Sequence, residues 1–153
     1  MIVKEKYLKS AKLNSLSGSI LLFADKNSEI KNINSLLNSS ERNLLKKNLK
    51  NQNKKKEIFS FDISHNQKII IYSIKNNNVS FEKKGAKLYE FFKKENLTKI
   101  NIFGDTIENS NGIKSLHELV HGMKLKSYTF DKYLTRKNSE IININIISKK
   151  KKN

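Results

Sequence analysis

Cysteine is absent from this 153-residue chain, so neither a disulfide framework nor a thiolate metal site is possible. Proline is absent too, glycine occurs only five times, and arginine stands only at Arg42 and Arg136. There is no G-x-G-x-x-G fingerprint and no Walker sequence, which argues against a phosphate cradle. No apolar run approaches the ~20 residues that span a bilayer. The opening MIVKEKYLKS lacks the apolar core of a secretory signal, so a cytoplasmic location with no membrane partner is expected.

What is present is lysine, asparagine and isoleucine in abundance, giving a formal net charge of +17. Such a charge attracts polyanions, most simply nucleic acid. A coding bias toward A and T produces the same palette, and arginine, the favoured phosphate clamp and base reader, is nearly missing. The expected partnership is therefore weak, non-specific nucleic-acid binding that moderate salt abolishes.

The length suits one domain with a modest core. Ser19–Ala24, SILLFA, is a continuous apolar run of strand length, as in a central strand buried on both faces. Further strands are predicted over 1–7, 58–63, 68–74, 99–103 and 140–147, the last with Ile142, Ile144 and Ile146 on one face. His65, Asn66 and Gln67 form a hairpin loop between two of them. Ile30, Ile33, Leu36 and Leu37 predict a helix over 29–37. A second follows with Leu44, Leu45 and Leu49, capped by Asn38-Ser39-Ser40-Glu41. Ser80 caps a third, in which Phe81, Gly85, Leu88 and Phe92 mark the buried face. A fourth runs from residue 110 to about 134. Strands and helices alternate around one hairpin, so the fold class is α/β, a mixed sheet flanked by helices on both faces. Gly104-Asp105-Thr106 falls at a strand's C-terminal end, where open α/β sheets commonly bind ligands.

Residues 115–137 carry the chemistry. His117-Glu118-Leu119-Val120-His121 matches H-E-x-x-H, in which two histidines four apart bind zinc and the glutamate polarises a metal-bound water. That chemistry needs a third ligand. Lys124 and Ser127 stand where the extended motif has glycine and histidine, His65 is far upstream, and Glu140 is the one downstream acid left over. Ser115 and Glu118 also fit a capping box, which would give Glu118 a purely structural task. Leu116, Val120 and Met123 step by four and three along one helical face. Gly122 would let another backbone come close. Tyr128, Phe130 and Tyr133 are expected to form an aromatic cluster anchoring the helix end, each able to bury ~150–250 Å².

Gly122, Leu125, Tyr128, Phe130, Tyr133 and Lys137 also give the series G-x-x-L-x-x-Y-x-F-x-x-Y-x-x-x-K. This resembles the end of the N-terminal domain of the leucyl (cytosol) aminopeptidase family. The resemblance extends over about 17–147 in element order, including Gly85-Ala86-Lys87-Leu88 on the preceding helix. His121 departs from it where the family has glutamate, as does Val120 where the family has a small apolar residue. The resemblance implies a macro-domain-like fold over 1–147, followed by a basic tail over 148–153. It implies two divalent metals only in the family's catalytic domain, whose N-T-D-A-E-G-R-L segment has no counterpart here. No catalytic, metal-binding or cofactor-binding residue is therefore carried over, and the chain alone is expected to be inactive. The expected partner is a catalytic aminopeptidase domain or another copy of itself, with a role in assembly or regulation of a stand-alone or truncated product.

Overall fold

Every residue of the SILLFA segment is buried, and that burial organises the molecule. The computed structural model describes residues 2–9, 11–12, 15–25, 27–34, 36–51, 56–65, 67–74, 79–107, 112–132 and 141–149, without the side chains of 2, 112–113 and 129–132. In chain order the elements are β1 (Ile2–Leu8), β2 (Ser19–Ala24), α1 (Ser39–Lys50), β3 (Ile58–Ser64), β4 (Gln67–Ser73), α2 (Phe81–Lys94), β5 (Lys99–Phe103), α3 (Gly112–Lys132) and β6 (Ile141–Ile147). A short 3₁₀ turn, Gly104–Thr106, follows β5.

The described strands form one six-stranded sheet in the order β1-β6-β5-β2-β4-β3. All neighbours are parallel except β3, which returns antiparallel on β4 through a hairpin whose His65 is exposed. The mixed sheet expected from the sequence is thus present. Because side chains alternate along a strand, β2 feeds two cores. Leu21 and Phe23 join Leu88, Phe92, Leu119 and Met123 under α2 and α3. Ile20, Leu22 and Ala24 join Leu36, Leu37 and Leu45 on the opposite face. Helices therefore cover both faces, and each large side chain fully removed from water contributes about 1.5–3 kcal/mol to the transfer term.

Local sequence accounts for the helix starts. Asn38 accepts from the Glu41 N–H while Glu41 reaches back to the Asn38 N–H, both at 2.9 Å, a complete capping box for α1. Ser80 accepts from the Lys83 N–H at the start of α2. On α3, Leu116, Val120 and Met123 are buried together, as their spacing requires.

Three expectations are corrected. Residues 29–37 are not a helix: Asn32 takes φ +60°, a left-handed conformation that interrupts right-handed helical hydrogen bonding. Ile30, Ile33, Leu36 and Leu37 still pack on the sheet, so their apolar spacing reports burial rather than helicity. Ser115 does not cap α3, which begins at Gly112 and holds Ser115 buried in its first turns. Tyr128 does not anchor the helix end: it is 72% exposed, and Leu125, three residues before it, is 45% exposed.

Candidate functional site

The metal motif of α3 can be tested by where its side chains go. The His117 ring meets Tyr7 of β1 edge-on, 6.0 Å between centroids, and its Nε2 is buried with no hydrogen-bond partner. His121, one turn on, is 60% exposed and lies 3.9 Å from the Glu82 carboxylate of α2. Glu118 is half-buried. Among the described residues no three histidine, aspartate or glutamate side chains gather as a metal-ligand group. Glu140 lies outside the described residues.

The longer motif divides in two. Gly122 does what its lack of a side chain suggested: a Cβ there would collide with the Glu82 carbonyl of α2. Gly85 of α2 meets the Leu119 carbonyl of α3 in the same way. Leu125 and Tyr128 instead point to solvent. Phe130 is in α3 but its side chain is not described, and Tyr133 and Lys137 lie outside the described residues.

A second region lies at the carboxyl ends of the parallel strands. From β2 the chain builds outward through β3 and β4. It then crosses back under α2 to β5, on the other side of β2. Such a switch point leaves a crevice between strand ends. Here Thr106 stitches it: its hydroxyl oxygen accepts from the Phe23 N–H at 3.0 Å, and the hydroxyl donates to the Phe103 carbonyl at 2.6 Å. Asn32 Nδ2 donates to the Asp105 carbonyl at 2.8 Å. The Asp105 carboxylate accepts from Ser148 Oγ at 2.9 Å and the Lys149 N–H at 3.0 Å, so the first two residues of the basic tail are docked. Beside this stitch lies a cavity of about 280 Å³, with Lys9, Lys12 and Lys149 around an apolar floor of Phe103 and Ile147.

Sequence reasoning placed Gly104-Asp105-Thr106 at the right strand end but missed what it does. The 3₁₀ turn spends Thr106 on closing the sheet and Asp105 on holding the chain end. The signal was available in part: a threonine two residues after a glycine at a strand end is a natural side-chain bridge to an orphan amide. The partners, Phe23 and Ser148, are far away in sequence and could not be read.

No family model and no curated protein matches the chain. Solved structures do. A mutant of tomato leucine aminopeptidase superposes over 99% of this chain and 33% of its own, with a TM-score of 0.65 and 14% identity. The macrodomain of Thermus aquaticus DarG superposes over 95% of this chain and 99% of its own, with a TM-score of 0.58 and 8% identity. The chain thus spans about a third of the aminopeptidase's length. At these identities what is shared is the fold: a six-stranded mixed α/β sheet that is macro-domain-like and like part of a leucine aminopeptidase.

Proposed function

We propose that this chain is a non-catalytic, N-terminal-type domain of a leucyl-aminopeptidase-like protein, acting in assembly or regulation. The observation that carries this is the end-to-end likeness: 99% of the chain superposes on one third of an aminopeptidase chain. Two features support it. Leu125 and Tyr128, which carry part of the aminopeptidase-like series, stand on the surface where a partner can cover them. His117 and His121 diverge to different partners, Tyr7 and Glu82.

In this reading the chain holds no catalytic residue and no cofactor. The two divalent metals belong to a separate catalytic domain, and the partner is that domain or a second copy. The compartment is the cytoplasm. Among the described residues no helix is long and apolar enough to cross a membrane.

The test is direct. Purified chain, alone and with added manganese or zinc, is assayed on a leucyl chromogenic substrate and then analysed for bound metal. Neither hydrolysis nor stoichiometric zinc is expected. Hydrolysis, or one zinc per chain lost in His121→Ala, overturns the reading and restores the H-E-x-x-H chemistry.

A further inference from the structure

The helices do not cover the sheet evenly. On the face that carries α1, Ile141 is half-buried at the amino end of β6, and the other described apolar side chains of β1, β6 and β5 stand at the carboxyl ends: Leu8, Ile147 and Phe103. Below them the register aligns polar side chains across three parallel strands. Lys4 pairs with Asn143 and Asn143 with Lys99, one row; Lys6 pairs with Asn145 and Asn145 with Asn101, the next. All point away from the α2–α3 face, because their neighbours Val3, Ile142, Ile144, Ile100 and Ile102 are in that core.

Lys4, Lys6, Lys99 and Asn143 are exposed. Asn101 is fully buried beneath the 17–19 segment, donating to the Ser17 carbonyl at 2.8 Å and accepting from Asn145 Nδ2 at 2.9 Å. This bond pair fixes the middle row and keeps it polar. Among the described residues no acid stands in either row. Glu5, the nearest in sequence, points to the other face, where it pairs with Lys124 at 2.7 Å. The result is a basic, hydrogen-bonding sheet surface, edged on β5 by the 17–19 segment, where an outer helix of an α/β sandwich would ordinarily need an apolar one.

We propose that this three-strand face is a binding surface for the phosphate backbone of duplex nucleic acid. Neighbouring strands are ~4.8 Å apart and alternate residues ~6.6 Å apart, so the lysines present a grid on the scale of a phosphate chain. No aromatic side chain stands in either row, which removes the stacking platform that single strands use. No arginine stands there either, so phosphates would be met by lysine point charges rather than by bidentate guanidinium forks. The surface therefore holds a duplex by charge and amide hydrogen bonds, indifferent to sequence. The inference does not rest on the aminopeptidase-like reading.

The experiment compares two triple variants that lose the same charge. One is Lys4→Gln/Lys6→Gln/Lys99→Gln on the sheet face. The other is Lys46→Gln/Lys47→Gln/Lys50→Gln, exposed lysines of α1. Fluorescence anisotropy is measured on two unrelated duplexes and the corresponding single strands, over a salt series. The sheet-face variant is expected to bind duplex at least ~10-fold more weakly, with its salt slope lowered by about 2.7, while the α1 variant changes less than ~2-fold. Lys→Arg at the three face positions restores binding and shows that the face still folds. Equal losses in both triples, no loss in either, tighter binding of single strands, or equal competition by poly-glutamate each overturn the proposal. The last outcome would assign the face to an acidic protein partner.

Discussion

Gly122 of α3 rests directly on the backbone carbonyl of Glu82 in α2, and three residues back in α3 and three on in α2 the contact is repeated with exchanged roles. Gly85 of α2 rests on the carbonyl of Leu119. The antiparallel helices thus meet backbone to backbone at two points, which holds them closer than side chains would permit. Alanine at Gly122 gains up to ~1 kcal/mol of helix propensity. The overpacking it causes is against backbone, which cannot swing aside, and costs about 1–3 kcal/mol or more. Gly122→Ala is therefore expected to lower stability by roughly 2 kcal/mol net in urea unfolding, and Gly85→Ala similarly. A stabilised Gly122→Ala protein would show that the two helices are not in this contact.

Thr106 offers a cleaner separation of one hydrogen bond from shape. Its hydroxyl satisfies the buried Phe23 N–H and the Phe103 carbonyl together. Valine keeps the volume and removes both bonds, leaving a buried donor without a partner at a cost of about 1–3 kcal/mol. Serine keeps them. Thr106→Val should lose that much in chemical denaturation and Thr106→Ser much less. A smaller loss in Thr106→Val than in Thr106→Ser would mean that the methyl, not the hydroxyl, holds the crevice.

These two sites also show what was legible in advance. SILLFA was legible because a strand buried on both faces must be apolar at every position, which no amphipathic element imitates. The α1 cap was legible because both halves of the box lie within four residues, Asn38 to Glu41. Residues 29–37 were misread because four apolar side chains covering a sheet from an irregular segment can fall at helical intervals. Only the φ of Asn32 distinguishes the two. The Lys4–Asn143–Lys99 row was invisible because its members come from three distant strands whose neighbours are set by topology. In sequence, KEK of β1 and NIN of β6 read only as alternation.

Alkaline pH should weaken the fold through tyrosine. Burial, then the charge of Glu5 and the hydrogen bond Tyr7 donates to it at 3.2 Å, push the Tyr7 hydroxyl from 10.0 up to about 12. Burial and Glu57 push Tyr72 upward as well. A folded-state value above the unfolded one means that the neutral form is favoured by folding. Its contribution is intact below pH ~10 and lost as pH rises toward 12. Lys84 is shifted downward by burial, which Glu57 partly offsets. It acts in the opposite sense, its unfavourable charge disappearing as pH rises. The two tyrosines outweigh it, so the thermal midpoint should fall between pH 10 and 12. Tyr7→Phe should fall less steeply there than the parent, whatever its stability at pH 7. Parallel curves for the two proteins would remove Tyr7 as a cause.

Leu125 and Tyr128 decide whether the aminopeptidase-like series on α3 serves the core or a partner. Side chains in a core lose several kcal/mol on truncation to a small polar residue, whereas exposed ones shift stability by no more than ~0.5 kcal/mol. Their exposure of 45% and 72% predicts the second result for Leu125→Ser and Tyr128→Ser. Exposed apolar side chains only one turn apart are also a contact patch in waiting, and Tyr128 supplies rigid area with a polar tip suited to an interface rim or centre. The double variant is therefore expected to keep its unfolding midpoint. It should lose self-association in sedimentation equilibrium, or lose binding to a separately supplied catalytic portion of a leucine aminopeptidase. A double variant that unfolds readily would return the pair to the core. One that stays folded and still associates with parental affinity would place the docking surface elsewhere on the domain and leave the exposed pair without a role in assembly.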